Sequence, residues 1–259
     1  MQWEELRRGA EYYTNKYSHW VYQYQSLRER GSEYWLHLER LDAGRIRNEI
    51  IGSFLNRWLC RVNYESARTL KEVLNKLPPL YLALCDESIE DVDFKQRKRV
   101  DGRLLTIEDI ITRIMGYFLS VRPKFGPVPA SKLMHMALSS LFVMWDTPIR
   151  EAYGIPTYHQ APHARWYVSF LKLMQIQANH AISNVMEIYG VDREEAIQHI
   201  TKTITEDIRG KLKMRECPEL TLARILDMYN FAIRDVKLPI CERCISLWCK
   251  QRMDIWLCY

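Results

Sequence analysis

The chain has 259 residues, of which 47% are apolar and 27% charged, with a net charge of +5; these values suit a globular protein with a sizeable core. Apolar runs such as 141–145 are far too short to span a bilayer, and Met1-Gln2-Trp3-Glu4-Glu5 is unlike a secretory signal, so the expectation is an intracellular protein with no membrane partner. The basic excess permits nucleic-acid binding without requiring it, because a helical enzyme of any kind can carry such a charge.

Helical periodicity runs through nearly the whole chain, and we find no internal repeat, low-complexity tract or strand alternation. Trp3, Leu6, Ala10, Tyr13, Tyr17, Trp20, Tyr24 and Leu27 recur every three or four residues, which predicts one long amphipathic helix closing near Gly31, its aromatic stripe packed on the body of the protein. Residues 46–77 read as helical with a break around Cys60 to Asn63. Ile50, Ile51, Phe54, Leu55 and Trp58 form the first apolar face; Ala67, Leu70, Val73, Leu74 and Leu77 form the second. Pro78-Pro79 should stop that helix, since proline cannot donate the backbone bond and restrains its predecessor.

Residues 86–103 are the most polar stretch, acidic from Asp86 to Asp93 and basic from Lys95 to Arg103. They predict a charged loop with a turn at Asp101-Gly102, ordinarily a solvated surface, the basic half being a candidate for phosphate contact. Thr106 with Asp109 predicts a capping box opening a helix that runs to about Val121. Beyond it, residues 148–153 predict a short helical turn and 154–166 a loop. Helices are expected over 168–189, 191–212 and 220–236, giving an all-α chain.

Between these helices lies Arg122-Pro-Lys-Phe-Gly-Pro-Val-Pro-Ala-Ser-Lys-Leu-Met-His135, followed by an apolar run ending in Met144-Trp145-Asp146-Thr147. Asp before a Thr-Pro start is a good helix cap. The segment also resembles the catalytic hairpin of the helix-hairpin-helix DNA glycosylases of the endonuclease III type. The resemblance places Gly126 on the second hairpin glycine, Ala130 on the small residue opening the next helix, and Asp146 on the carboxylate these enzymes use. It implies an all-α, two-lobed fold that binds duplex DNA and flips a base out of it. Asp146 would stabilise an oxocarbenium-like sugar or activate water, a role compatible with capping.

Two positions depart from the family pattern. Lys124 replaces the first hairpin glycine; it either supplies a phosphate contact of its own or marks a turn of different shape. Val128 stands where bifunctional members carry the Schiff-base lysine, which implies a monofunctional enzyme unless Lys132, one helical turn later on nearly the same face, replaces it. His135, three residues on, reads first as a satisfied structural histidine. DNA contacts are expected from Lys124, Phe125, Gly126, Val128 and Ser131, and a base pocket from Asn56, Trp58, Arg61 and Trp145.

Cysteines cluster at the end of the chain, where Cys241, Cys244 and Cys249 have a C-x2-C-x4-C spacing that can set three thiolates around one metal. This run is similar to the tail of the iron–sulfur glycosylases, one residue shorter and without the family's first cysteine. Cys217 is the expected fourth ligand and Cys258 its rival. The expected cofactor is a [4Fe–4S] cluster, with zinc as alternative; buried thiols are the plainer reading. Domain organisation is expected as an N-terminal helix over 1–45, a glycosylase-like domain over 46–200, and C-terminal helices with a metal-binding tail over 201–259. The rival functions are a non-catalytic nucleic-acid-binding protein on the same scaffold and a helical interaction protein with a structural metal.

Overall fold

A computed structural model describes residues 1–155, 162–215 and 217–236, and these are mostly helical. The N-terminal half contains α1 (Trp3–Lys16), α2 (Ser18–Arg28), α3 (Ser32–Leu36) and α4 (Ala43–Arg45), which runs into a π-helical stretch at Ile46–Asn56; α5 (Ala67–Leu74) and α6 (Pro78–Leu82) follow. After a hairpin of β1 (Arg97–Val100) and β2 (Arg103–Thr106) come α7 (Ile107–Leu119), α8 (Pro127–Ala137) and α9 (Thr147–Ala152). The longest helices are last: α10 (His163–Tyr189), α11 (Arg193–Leu212) and α12 (Leu222–Val236).

The 27-residue α10 is the spine of the fold. It packs against α7, α11, α1 and α12, burying Phe170, Leu171, Met174, Ala178, Ile182 and Val185 at the spacing of one helical face. It ends at Gly190, whose φ of 67° is left-handed and suits a residue with no Cβ. Helix α1 lies on α12, α10 and α11, so the N-terminal aromatic stripe packs on the body of the protein. Trp3, Leu6, Ala10 and Tyr13 are buried there.

Three local expectations are corrected. The N-terminal stripe is two helices, because Tyr17 leaves helical geometry at φ −125° and ψ 34°. Its hydroxyl is held from α12, donating to Asp235 at 2.7 Å, while its ring stacks on Trp20 at 4.9 Å. Pro78 does not simply terminate a helix; α5 has already ended at Leu74, and Pro78 opens α6 at a position where no N–H is needed. The charged loop contains the strands that periodicity missed. Arg97 pairs with Thr106 and Val100 with Arg103 around the expected Asp101-Gly102 turn, both of whose φ angles are positive (47° and 76°). With four residues per strand, and only Val100 and Leu105 buried, there is too little alternation to read. The Thr106–Asp109 capping box forms as expected.

Candidate active site in an aromatic-walled cavity

Six segments of the chain converge on a cavity of about 240 Å³. Tyr13, Trp20, Trp58 and Phe231 give it aromatic walls, and Leu59, Val128 and Met144 add apolar surface. Its charged groups are Lys132, Asp146, Arg224, Asp227 and Arg234. Helical spacing explains how so many reach one place. Val128 and Lys132 stand four apart on α8, while Arg224, Asp227, Phe231 and Arg234 follow one face of α12.

Lys132 is only 5% exposed. Its Nζ donates to the backbone carbonyl of Trp58 at 3.0 Å and lies 5.5 Å from that residue's ring centre, a cation–π distance. Asp146 is half-buried at the start of α9, and its Oδ1 accepts the Thr147 N–H at 2.7 Å. The helix-capping role is therefore realised, and the carboxylate still faces the cavity.

Asp227 was not singled out by the sequence reading. It is fully buried, with Oδ2 in close contact with Arg224, while Oδ1 accepts no hydrogen bond among the described residues. Burial pushes its pKa up to about 6 against the pull of Arg224 and Lys132, with the Asp146 charge adding to the rise. Arg224 is buried in turn, donates to the Tyr13 hydroxyl at 3.2 Å and lies 4.3 Å from the Tyr24 ring centre. A signal existed in the sequence: Arg224 and Asp227 interrupt the apolar run Leu222–Ile233, where exposed charges are not expected. At the far end of α12, Asp235 accepts from Tyr17, Lys16 and Arg234. Burial opposes its charge, but these hydrogen bonds outweigh burial and hold its pKa below the usual carboxylate range.

Of the residues singled out from sequence, Trp58, Val128, Lys132 and Asp146 meet in this cavity. The other base-pocket candidates do not line it. Asn56 is occupied in clamping the next loop, accepting from Val62 N at 2.6 Å and donating to Val62 O at 2.9 Å. Arg61 is exposed, at a left-handed φ of 51°. Trp145 is fully buried behind the cavity against Tyr167 and Phe170.

The hairpin residues divide in a similar way. Lys124 is exposed, but Phe125 is buried and stacks on Phe118, with ring centres 5.9 Å apart. Gly126 precedes α8 in extended geometry at φ −85°, so this turn does not use glycine's access to positive φ. Pro127 and Pro129 remove two of the N–H groups that would open α8, leaving few backbone donors for a phosphate. Ser131 is buried and bridges two segments: its Oγ donates to Val128 O and accepts Trp145 N–H, both at 2.9 Å. This ties α8 to the run that presents Asp146. His135 is the satisfied structural histidine; Nδ1 donates to Phe142 O at 2.5 Å and Nε2 accepts from Tyr24 at 2.9 Å. Burial pushes its pKa down to about 3, although the bond to Phe142 works the other way.

Arg57, Arg61, Arg68 and Lys124 are exposed and form no ion pair among the described residues. The two segments carrying them are joined where Thr69 Oγ1 donates to Arg122 O at 2.6 Å. Leu59, one of the cavity-lining residues, is 69% exposed and at φ 60°.

Cys217 is half-buried, its Sγ accepting from Gln25 Nε2 at 3.1 Å, and burial pushes its pKa up. The expected co-ligands Cys241, Cys244 and Cys249, with Cys258, lie outside the described residues. Among the described residues no group of three or more His, Cys, Asp or Glu side chains is arranged to hold a metal ion, and no helix is long and apolar enough to cross a membrane. No family model matches the chain, and no similar curated protein or solved structure is found.

Proposed function

We propose that the chain is a DNA glycosylase that excises a damaged or mismatched base from duplex DNA, with Asp146 as its catalytic carboxylate. The observation that carries this reading is the meeting of Asp146, Val128 and Lys132 in one aromatic-walled cavity, although they are spread along the hairpin segment. An extruded base enters the cavity and lies against its rings. The C1′–N bond breaks with its electron pair leaving on the base, which takes up a proton from solvent, balanced by the one Asp146 later returns to it. The developing sugar cation is stabilised by the Asp146 carboxylate, and water adds at C1′ while Asp146 accepts its proton. The product is an abasic site and a free base.

The exposed cations Arg57, Arg61, Arg68 and Lys124 support a duplex partner, since phosphate contacts come largely from such side chains. With Pro127 and Pro129 at the start of α8, these side chains replace much of what backbone amides would provide. The lobes of the proposed fold are the 46–200 domain and the N-terminal helices packed with the C-terminal ones. Cys241, Cys244 and Cys249 with Cys217 would hold a [4Fe–4S] cluster, or zinc, as a structural element of the second lobe.

The test is a panel of duplexes, each with one altered or mismatched base, incubated with the protein and then treated with hot alkali. Strand cleavage at the altered position only after alkali is the expected result. Tight, salt-sensitive duplex binding with no excision on any substrate would instead make the chain a non-catalytic binder on this scaffold.

A further inference from the structure

We infer that Asp227 reads the ring held in the cavity, its free Oδ1 accepting a hydrogen bond from an N–H on the edge of a planar nitrogen heterocycle. Among the described residues, only one side of this carboxylate is used. Oδ2 faces Arg224, one helical turn away on α12, while Oδ1 is buried with no partner among the described residues. A buried acceptor left unpaired is costly and rare, so such a group calls for a partner. The protein fixes it firmly: Arg224 is anchored to the Tyr13 hydroxyl and packed on the Tyr24 ring. Asp227 borders the cavity, and its carboxylate is held in place before a ring enters.

The surroundings define what that donor belongs to. Trp20, Trp58 and Phe231 line the space and present ring faces or edges to a flat ligand. At about 240 Å³ the cavity lies below the ~300–1,000 Å³ usual for drug-sized ligands, so it suits a single ring system. An acceptor here selects for an exocyclic amino or ring imino group. It selects against a heterocycle without one, which would leave the carboxylate oxygen unpaired. The inference rests on the proposed excision chemistry only for naming the ring a nucleobase.

The experiment titrates the whole chain with 9-methyladenine and 9-methylguanine, which carry N–H donors on the pairing edge, and with 9-methylpurine, which carries none. Tryptophan fluorescence follows binding, because Trp20 and Trp58 line the cavity. At least one of the two donors should bind on the order of ten- to a hundredfold more tightly than 9-methylpurine, the range for a hydrogen bond to a charged group. In Asp227→Asn the amide oxygen stays with Arg224 and its NH2 faces the ring, so the preference should vanish.

Equal binding of all three by the unaltered protein, or no binding of any, overturns the inference without recourse to a variant. A preference that survives in folded Asp227→Asn also overturns it. The excision reading fails separately. Selective ring binding with no excision of any lesion removes the proposed function and leaves the Asp227 assignment standing. Excision with unchanged base selectivity in Asp227→Asn removes the assignment alone.

Discussion

The Lys132 ammonium donates a 3.0 Å hydrogen bond to the backbone carbonyl of Trp58, tying α8 to the loop that carries the cavity-lining Leu59. A lysine committed in this way, with Asp146 and Asp227 lining the same space, is poorly placed to attack a sugar carbon. We therefore expect an abasic product that breaks only in alkali, and no covalent protein–DNA adduct under borohydride. An adduct that disappears in Lys132→Ala would reverse this and make Lys132 the Schiff-base nucleophile that Val128 is not.

The exposed cations, unpaired among the described residues, should set the salt dependence of duplex binding. Each phosphate contact removed lowers the slope of log affinity against log salt by about 0.9. Arg61→Ala, Arg68→Ala and Lys124→Ala should each flatten the slope by roughly that amount and weaken binding alike across duplex sequences. Ion pairs do not hold these side chains among the described residues, and all are exposed, so thermal stability should hardly change. Slopes identical to the unaltered protein would place the DNA on another face.

Asp227 gives the stability curve a distinctive sign. Its folded pKa, pushed up to about 6, exceeds the ordinary unfolded value near ~3.9, so between these pH values the folded chain holds a proton that the unfolded chain does not. Its contribution therefore rises as pH falls through that window. His135 works in the opposite direction: with a folded pKa of about 3 it stays neutral while the unfolded imidazole protonates, and stability is lost below the unfolded value near ~6.5. Over most of the window the two effects offset one another. Asp227→Asn removes one of them. The variant should lose stability relative to the unaltered protein by up to about 1.4 kcal/mol per pH unit below pH 6, measured by urea unfolding at pH 7, 6 and 5. Parallel curves would mean that Asp227 does not titrate in this range.

The helices were legible because their apolar residues recur at 3.6-residue spacing and caps such as Thr106 mark their starts. The β-hairpin was not, because only Val100 and Leu105 of its eight strand residues are buried. The site was half legible. Val128 and Lys132 stand one helical turn apart, and the hairpin resemblance set Asp146 beside them. Arg224 and Asp227 join them only through the packing of α12 against α1 and α9, a long-range arrangement that periodicity does not encode. Ser131 and Phe125 were misread for a related reason. Both lie in a segment chosen for its resemblance, but which of its side chains turn inward depends on α7 and the run before Asp146.

Asp146 caps α9 and is the proposed catalytic carboxylate, and two substitutions separate the two roles. Asn caps helices about as well as Asp, so Asp146→Asn should keep the bond to Thr147 N–H and leave stability within about 0.5 kcal/mol. It removes the negative charge, and losing a preorganised electrostatic contact to the transition state costs on the order of 100-fold or more in rate. Duplex binding should be retained. Asp146→Ala removes both functions and should cost about 1 kcal/mol of stability as well as activity. Single-turnover excision, compared with urea unfolding of the two variants, makes the distinction. Full excision by Asp146→Asn would show that the residue serves α9 alone, and the reacting carboxylate would have to be sought elsewhere in the cavity.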